Sequence, residues 1–146
     1  AFPTSTIFIV GGIFPLSKAL VSSGAAEYLV NAISSVLSNL SPIVLLGSIT
    51  FLMLLTTQFL MNSSATVLVL PIAIMLCQAA GINPLAGAMS VSVCASGAFV
   101  TPFGTAPNLL VWEAGGYSVK DYLKCGFPML IIFGVVTTAL CAVFYL

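Results

Sequence analysis

The stretch 101-TPFGTAPNLL-110 places Pro102, Gly104 and Pro107 inside a very apolar part of the chain. The runs on either side, SVSVCASGAFV and LLVW, are typical of membrane helices. Two prolines and a glycine within six residues predict a break between them. Irregular backbone at membrane depth is tolerated only where it is buried in protein or lines a water-filled cavity. The break is therefore a candidate functional element.

Composition supports a membrane environment. Of the 146 residues, 60% are hydrophobic and 4% are charged, and no Arg or His is present. No charged side chain lies between Tyr28 and Trp112, a stretch of 85 residues. A soluble domain needs a charged surface, whereas a spanning helix needs about 20 mostly apolar residues. The sequence predicts an all-α, multi-pass integral membrane protein in the plasma membrane, with the lipid bilayer and no nucleic acid as partner.

The ends of the chain and its cysteines add two further expectations. The chain begins at Ala1 without Met and ends at Leu146 within an apolar run, so we interpret it as a fragment of a longer polytopic protein. The four cysteines show no CxxC spacing and most lie in apolar runs, which indicates packing and implies neither a disulfide nor a metal site. No cofactor is expected.

The first part of the chain predicts a span, a surface helix and a hairpin. Residues 1–21 form the span, and residues 24–40 an amphipathic interfacial helix with apolar positions at helical spacing. Residues 42–80 are predicted to form a re-entrant hairpin with 61-MNSSAT-66 at its tip. Its second arm, counted over 67–80 and interrupted by Pro71, covers only about 21 Å of a ~30 Å hydrocarbon core. Two full spans joined by a surface loop remain the alternative.

The later part predicts a discontinuous helix and a last span. A helix is expected over 86–100 and a restart near Pro107, within a discontinuous span over 84–114. Residues 117–126 are predicted to form an interfacial passage, and residues 127–146 the last span. The fold class is thus an all-α polytopic transporter fragment with a re-entrant helical hairpin and a discontinuous transmembrane helix.

The two polar breaks, MNSSAT and TPFGTAPN, offer the same chemistry. Helix ends expose carbonyl groups that suit a hard cation, whereas helix starts expose N–H groups that suit an anion. The carbonyl groups in question are those near Phe59–Met61 and Val100–Thr101. Such discontinuous helices are typical of secondary transporters. The predicted anion-binding residues are Asn62, Ser63, Ser64, Thr105, Ala106 and Asn108. The predicted Na⁺ ligands, partly through backbone carbonyls, are Asn62, Thr101 and Gly104.

Other polar side chains have a simpler expected role. Hydroxyl groups in membrane helices often bond to their own backbone, as expected for Ser48, Thr50, Ser90 and Thr137. For Thr56, Thr57 and Gln58 the sequence leaves a structural and a functional role equally open.

Charge is informative at the predicted site. No Arg, Lys or His is available there, and each helix N-terminus contributes about half a positive charge. Two helix starts supply roughly one positive charge, which is less than a dianion requires. Bound Na⁺ would supply the remainder, so a cation-coupled carrier follows as a hypothesis.

The motifs resemble those of the divalent anion:sodium symporter family, within the ion transporter superfamily of citrate-transporter-like domains. The resemblance rests on SGAAEYL before the amphipathic helix, a hairpin tip nine residues before Pro-Ile-Ala, GTAPN and GGYSVKDYLKCGFP. It covers nearly the whole chain and corresponds to the later part of the second inverted repeat. The family's tip is commonly Ser-Asn-Thr where this chain has Met61-Asn62-Ser63, and its second motif is Gly-Thr-Pro-Pro-Asn where this chain has Ala106.

The resemblance implies a Na⁺-coupled symporter for a divalent anion such as sulfate or a dicarboxylate. By resemblance, Asn62, Ser63 and Thr105 contact the substrate, the two loops form one Na⁺ site, and the protein is a homodimer. Met61 lacks a hydroxyl group, which leaves the choice of anion open. The first inverted repeat, with its own Na⁺ site, is the expected partner for this half.

Three other functions remain as alternatives. One is another carrier of the superfamily, for arsenite or citrate, or a Na⁺/H⁺ antiporter, which usually keeps a buried carboxylate. An ion channel is less favoured because polarity is confined to two short breaks. An enzyme is least favoured, since His, paired carboxylates and a metal cluster are lacking.

Overall fold

The computed structural model describes residues 41–146 and, before them, Pro15, Ala19, Ser22–Gly24 and Tyr28. The predicted span over 1–21 and the predicted amphipathic helix over 24–40 lie outside the described residues, apart from those isolated positions. Within the described part the secondary structure consists of helices: α1 (Pro42–Phe59), α2 (Asn62–Ala79), α3 (Pro84–Cys94), α4 (Ala106–Gly115) and α5 (Val119–Tyr145).

Three of these helices are long and apolar enough to cross a membrane: α1, α2 and α5. Helices α1 and α2 have 18 residues each, which corresponds to about 27 Å at 1.5 Å per residue. Only Leu60 and Met61 connect them. Because α2 begins at Asn62 and continues through Pro71, the polar tip lies in its first turns, five residues earlier than the sequence-based count assumed. The re-entrant placement of this hairpin stays a prediction.

Two helices flank the predicted break, and the break is wider than predicted, whereas their membership of one discontinuous span stays a prediction. The helix expected over 86–100 ends at Cys94, and irregular backbone follows to Thr105 before α4 begins. Tight turns replace the helical hydrogen-bond pattern after Cys94. The N–H of Gly97 donates to the carbonyl of Cys94, and the N–H of Phe99 donates to the carbonyl of Gly97. The sequence did not indicate the end of α3 at Cys94, because the residues of the apolar run 95–100 are compatible with a helix.

The last helix also differs from the sequence-based division. Helix α5 starts at Val119, where Ser118 and Asp121 form a capping box, and runs without interruption through Pro128. The interfacial passage predicted over 117–126 therefore belongs, from residue 119 onward, to the same helix as the last span. Its 27 residues cover about 40 Å, more than a ~30 Å hydrocarbon core requires.

Helix α3 is the centre of the packing and contacts α1, α2 and α5. Small residues permit these close approaches: a Cβ on Gly87 would lie 2.7 Å from the Cys77 sulfur, and one on Gly134 would lie 2.9 Å from Leu54 Cδ1. The core includes Leu46, Ile49, Met53 and Leu54 of α1 with Val91 and Cys94 of α3. Helix α4 buries none of its residues and lies at the edge of this packed unit.

Hydroxyl groups within the helices mostly behave as expected. Ser48, Thr50 and Ser90 donate to backbone carbonyls three or four residues earlier, at 2.7 to 2.9 Å, which confirms those predictions. Thr137 does not follow this pattern, because it is buried and its hydroxyl makes no hydrogen bond to its own helix among the described residues. The cysteine expectation holds for Cys77, Cys94 and Cys141, which are buried, whereas Cys125 is exposed.

Candidate functional site

The two polar breaks predicted from the sequence are in direct contact. The Thr101 hydroxyl donates a 2.8 Å hydrogen bond to the carbonyl of Gln58, one residue before the end of α1. A Cβ built on Gly104 would lie 3.1 Å from the carbonyl oxygen of Thr57, so this glycine lets the second break approach the end of α1. The C-terminal end of α1 and the irregular segment before α4 therefore form one junction.

Two helices begin next to this junction without side-chain caps. Helix α2 starts four residues after Gln58 with Met61 as N-cap, and α4 starts two residues after Gly104 with Thr105 as N-cap. Neither N-cap side chain accepts a hydrogen bond from the first turn. Only Asn83 of α3 accepts such a bond among the N-caps of the described helices, from the N–H of Leu85, whereas Ser41 of α1 does not and at α5 it is the Asp121 carboxylate that accepts the N–H of Ser118. The first N–H groups of α2 and α4 are thus left for another acceptor, and helix N-termini favour anions.

Asn62 carries an unusual polar atom. Its Oδ1 is buried and has no hydrogen-bond partner within the described part of the chain. A buried acceptor without a partner costs about 1–3 kcal/mol, so native structures usually supply a partner or a ligand. An amide oxygen is a hard donor that suits Na⁺. The predicted cation ligand Asn62 therefore fits the ion by its chemistry.

The predicted anion-binding hydroxyls are also unengaged. Ser63, Ser64 and Thr105 make no side-chain hydrogen bond within the described residues, and Ser64 and Thr105 are half-buried. Thr66, one turn later, instead donates to the carbonyl of Asn62 at 2.7 Å. The structure thus leaves free the hydroxyls that the sequence selected, in contrast to the satisfied hydroxyls elsewhere in these helices.

Asn108 has a structural partner that the sequence did not suggest. Its Nδ2 donates to the carbonyls of Ala98, at 2.7 Å, and Thr101, at 3.3 Å. The backbone carbonyl of Asn108 accepts a 2.9 Å hydrogen bond from the hydroxyl of Tyr122 on α5. Asn108 therefore fastens the break to α4 and α5, a role different from the predicted contact with an anion.

The carbonyl groups predicted to bind Na⁺ are partly occupied. The carbonyl of Met61 accepts the N–H of Ala65 and so belongs to the first turn of α2. The carbonyl of Thr101 accepts only the long bond from Asn108, and that of Thr57 faces Gly104. Ala106 is exposed at the start of α4, where its backbone can contribute an N–H group. Among the described residues no cluster of three or more His, Cys, Asp and Glu could hold a metal, so the ligands that these residues can offer a cation here are neutral oxygens.

A separate cleft lies on the other side of the break. It has a volume of about 390 Å³ and lies among Phe99, α4 and the first half of α5, including Tyr122 and Met129. None of the predicted site residues lines it, and its walls are largely apolar. The unsatisfied oxygen of Asn62 and the uncapped helix starts make the junction the stronger candidate site.

Gln58 is the main residue that the sequence left undecided. It is buried, with 6% of its surface exposed, and its side chain bonds to Leu54, Gly97 and Val100. Thr56 and Thr57, also left open, simply donate to carbonyls of their own helix. A glutamine in a helix without charged residues is a signal in itself, because a buried amide needs several partners. The sequence could not identify the two distant partners, Gly97 and Val100, which lie about 40 residues away.

Comparisons with known proteins agree with the motifs. Residues 2–146 match the family model described as the sodium:sulfate symporter transmembrane region. An uncharacterized transporter of Synechocystis is 33% identical over 139 residues, covering 95% of this chain and 23% of that protein. The sodium-dependent dicarboxylate transporter SdcS of Staphylococcus saprophyticus is 30% identical over 125 residues, which cover 86% of this chain and 24% of that protein. The Na⁺/citrate cotransporter of Rattus norvegicus is 30% identical over 130 residues, which cover 89% of this chain and 23% of that protein. The chain spans about a quarter of the length of these relatives.

Proposed function

This chain belongs to the family of the sodium:sulfate symporter transmembrane region, and on that premise we propose that it contributes to a secondary active transporter that carries a divalent anion together with Na⁺. The observation that carries the proposal is the buried, unpartnered Oδ1 of Asn62 at the start of an uncapped helix. The transporter is a carrier and not an enzyme, and it acts in the plasma membrane.

The proposed cation site uses neutral oxygens. Asn62 supplies its amide oxygen, and the break opposite supplies backbone carbonyls, with Thr101 and Gly104 at the contact between the two elements. A cation bound there satisfies the orphaned oxygen and offsets its desolvation. Na⁺ is the coupling ion of this proposal.

The proposed anion site uses the two helix starts. The N–H groups of the first turns of α2 and α4, with the hydroxyls of Ser63, Ser64 and Thr105, face an anion as hydrogen-bond donors. Two helix N-termini contribute roughly one positive charge, so a dianion binds well only when Na⁺ is also bound. This electrostatic dependence is the physical basis of coupling. In this proposal the anion is sulfate or a dicarboxylate. The remainder of the transporter supplies the other half of the site, and the assembled transporter is a homodimer.

The test is uptake into proteoliposomes that contain the full-length protein. We expect saturable uptake of sulfate or succinate that requires an inward Na⁺ gradient and is lost when choline replaces Na⁺. Non-saturable flux would identify a channel, and uptake driven by a proton gradient or of arsenite would identify another carrier class. Either result would refute the proposal.

A further inference from the structure

On the side of α1, three hydrogen bonds to a single residue hold the break between α3 and α4. Gln58 Nε2 donates to the carbonyl of Gly97 at 2.9 Å, and Gln58 Oε1 accepts the N–H of Val100 at 2.9 Å. The second Nε2 hydrogen is used within α1, on the carbonyl of Leu54 at 2.8 Å. The Gln58 backbone carbonyl adds the bond from Thr101. Three hydrogen bonds thus join one residue of α1 to residues 97–101.

The orientation of this amide is fixed by its neighbours. Its nitrogen faces two carbonyl groups and its oxygen faces an N–H group, so a flipped amide would oppose donor to donor and acceptor to acceptor. Because Gln58 is buried, water cannot replace a lost partner without rearrangement. The side chain therefore selects one register of the break against α1.

The opposite side of the break is pressed against α5. A Cβ built on Gly126 would overlap the carbonyl of Phe99 and lie 2.9 Å from the Cα of Val100. The segment is therefore held between a polar contact on α1 and a backbone contact on α5. Of these two contacts, only the one with Gln58 has directional bonds. The bonds from Asn108 to Ala98 and Thr101 join the break to α4, so they do not set its register against α1.

We infer that Gln58 is a positioning residue that sets the second break against the start of α2, so that the oxygens of both elements reach one cation. This inference rests on the proposed function and extends it to a residue that contacts neither ion. Gln58 lies four residues before Asn62, and its bonds fix the segment that leads to Gly104 and Thr105. Loss of the contact frees the break from α1 and separates the two halves of the cation site.

The experiment uses the full-length transporter with Gln58→Met, which keeps the volume and removes both side-chain bonds to the break. Thermal stabilisation of the purified protein by NaCl, relative to choline chloride, measures Na⁺ binding without any anion. We expect the half-maximal NaCl concentration to rise about 10- to 100-fold, as for a ligand group displaced by about 1 Å. Hydrogen exchange should show faster exchange at the Val100 amide. Gln78→Met is the matched control, because Gln78 is exposed near the end of α2 and should change neither readout.

Three outcomes separate the hypotheses. An unchanged NaCl midpoint in Gln58→Met, with a wild type that responds to Na⁺, overturns this inference alone. A wild type with neither a Na⁺-specific response nor Na⁺-dependent uptake overturns the proposed function as well. If Gln58→Met does not fold, Thr101→Val removes only one of the three bonds and should raise the midpoint about fivefold, the factor for one hydrogen bond. No change in that variant also overturns the inference.

Discussion

Gly104 offers the sharpest test of the junction, because its substitution by alanine acts where the two breaks touch. A Cβ at this position would lie 2.6 Å from Ala98 Cβ, 3.1 Å from the carbonyl oxygen of Thr57 and 3.3 Å from the hydroxyl of Thr101. Ordinary contact begins near 3.4 Å, so residue 104 and Ala98, which both lie in the break, must separate by about 0.8 Å. The glycine is required here for close approach, since it does not have a positive φ.

The expected effect of Gly104→Ala follows from that displacement. Overpacking of a tight contact costs about 1–3 kcal/mol of stability, and a displacement near 1 Å in a binding site costs about 100-fold. We therefore expect the half-saturating Na⁺ concentration for uptake to rise about 10- to 100-fold, with a smaller loss of folded protein. The assay is Na⁺-dependent sulfate or succinate uptake into proteoliposomes, normalised to folded transporter.

Gly47→Ala is the matched control for this substitution. A Cβ on Gly47 would lie 3.7 Å from Thr138 Cγ2, an ordinary contact, and alanine favours a helix over glycine by up to about 1 kcal/mol. This variant should transport normally and be at least as stable as the wild type. If Gly104→Ala has the Na⁺ dependence of Gly47→Ala, the junction is not the cation site and the reasoning from close approach fails.

Three further predictions concern the ligands themselves. Thr105→Ala deletes one hydroxyl but leaves the backbone N–H groups. We expect the half-saturating anion concentration to rise about 10- to 150-fold, equivalent to about 1.5–3 kcal/mol, while the Na⁺ affinity changes little. An equal loss of anion affinity and Na⁺ affinity would contradict this prediction. Asn62→Leu removes the orphaned oxygen, so the purified protein should keep its thermal stability without Na⁺ and lose its stabilisation by NaCl, and retained stabilisation would exclude Asn62 as a ligand. A cysteine at Ser64 should react slowly with membrane-impermeant thiol reagents and be protected by Na⁺ plus anion, whereas fast unprotected labelling would favour a surface loop.

Much of the architecture follows from the sequence because it depends on local chemistry. A chain with 4% charged residues must fold as apolar helices in lipid, and Pro102, Gly104 and Pro107 must interrupt one of them. The restart of the chain as α4 beside Pro107 follows from the same residues. These features depend on single residues and their neighbours, so periodicity and turn chemistry are sufficient to predict them.

Only the tertiary structure decided where α3 ends and what holds the break. Residues 95–100 are compatible with a helix, but Gln58 captures the backbone of Gly97 and Val100, and these bonds join residues about 40 positions apart. The same is true of Asn108, whose amide binds the loop before it while Tyr122 binds its carbonyl. Local pattern cannot show which distant partner satisfies a buried amide, because the choice depends on how the helices pack. The sequence thus determined which groups are polar inside an apolar protein. Packing determined which of them find a hydrogen-bond partner and which, like Asn62 Oδ1, find none within the described part of the chain.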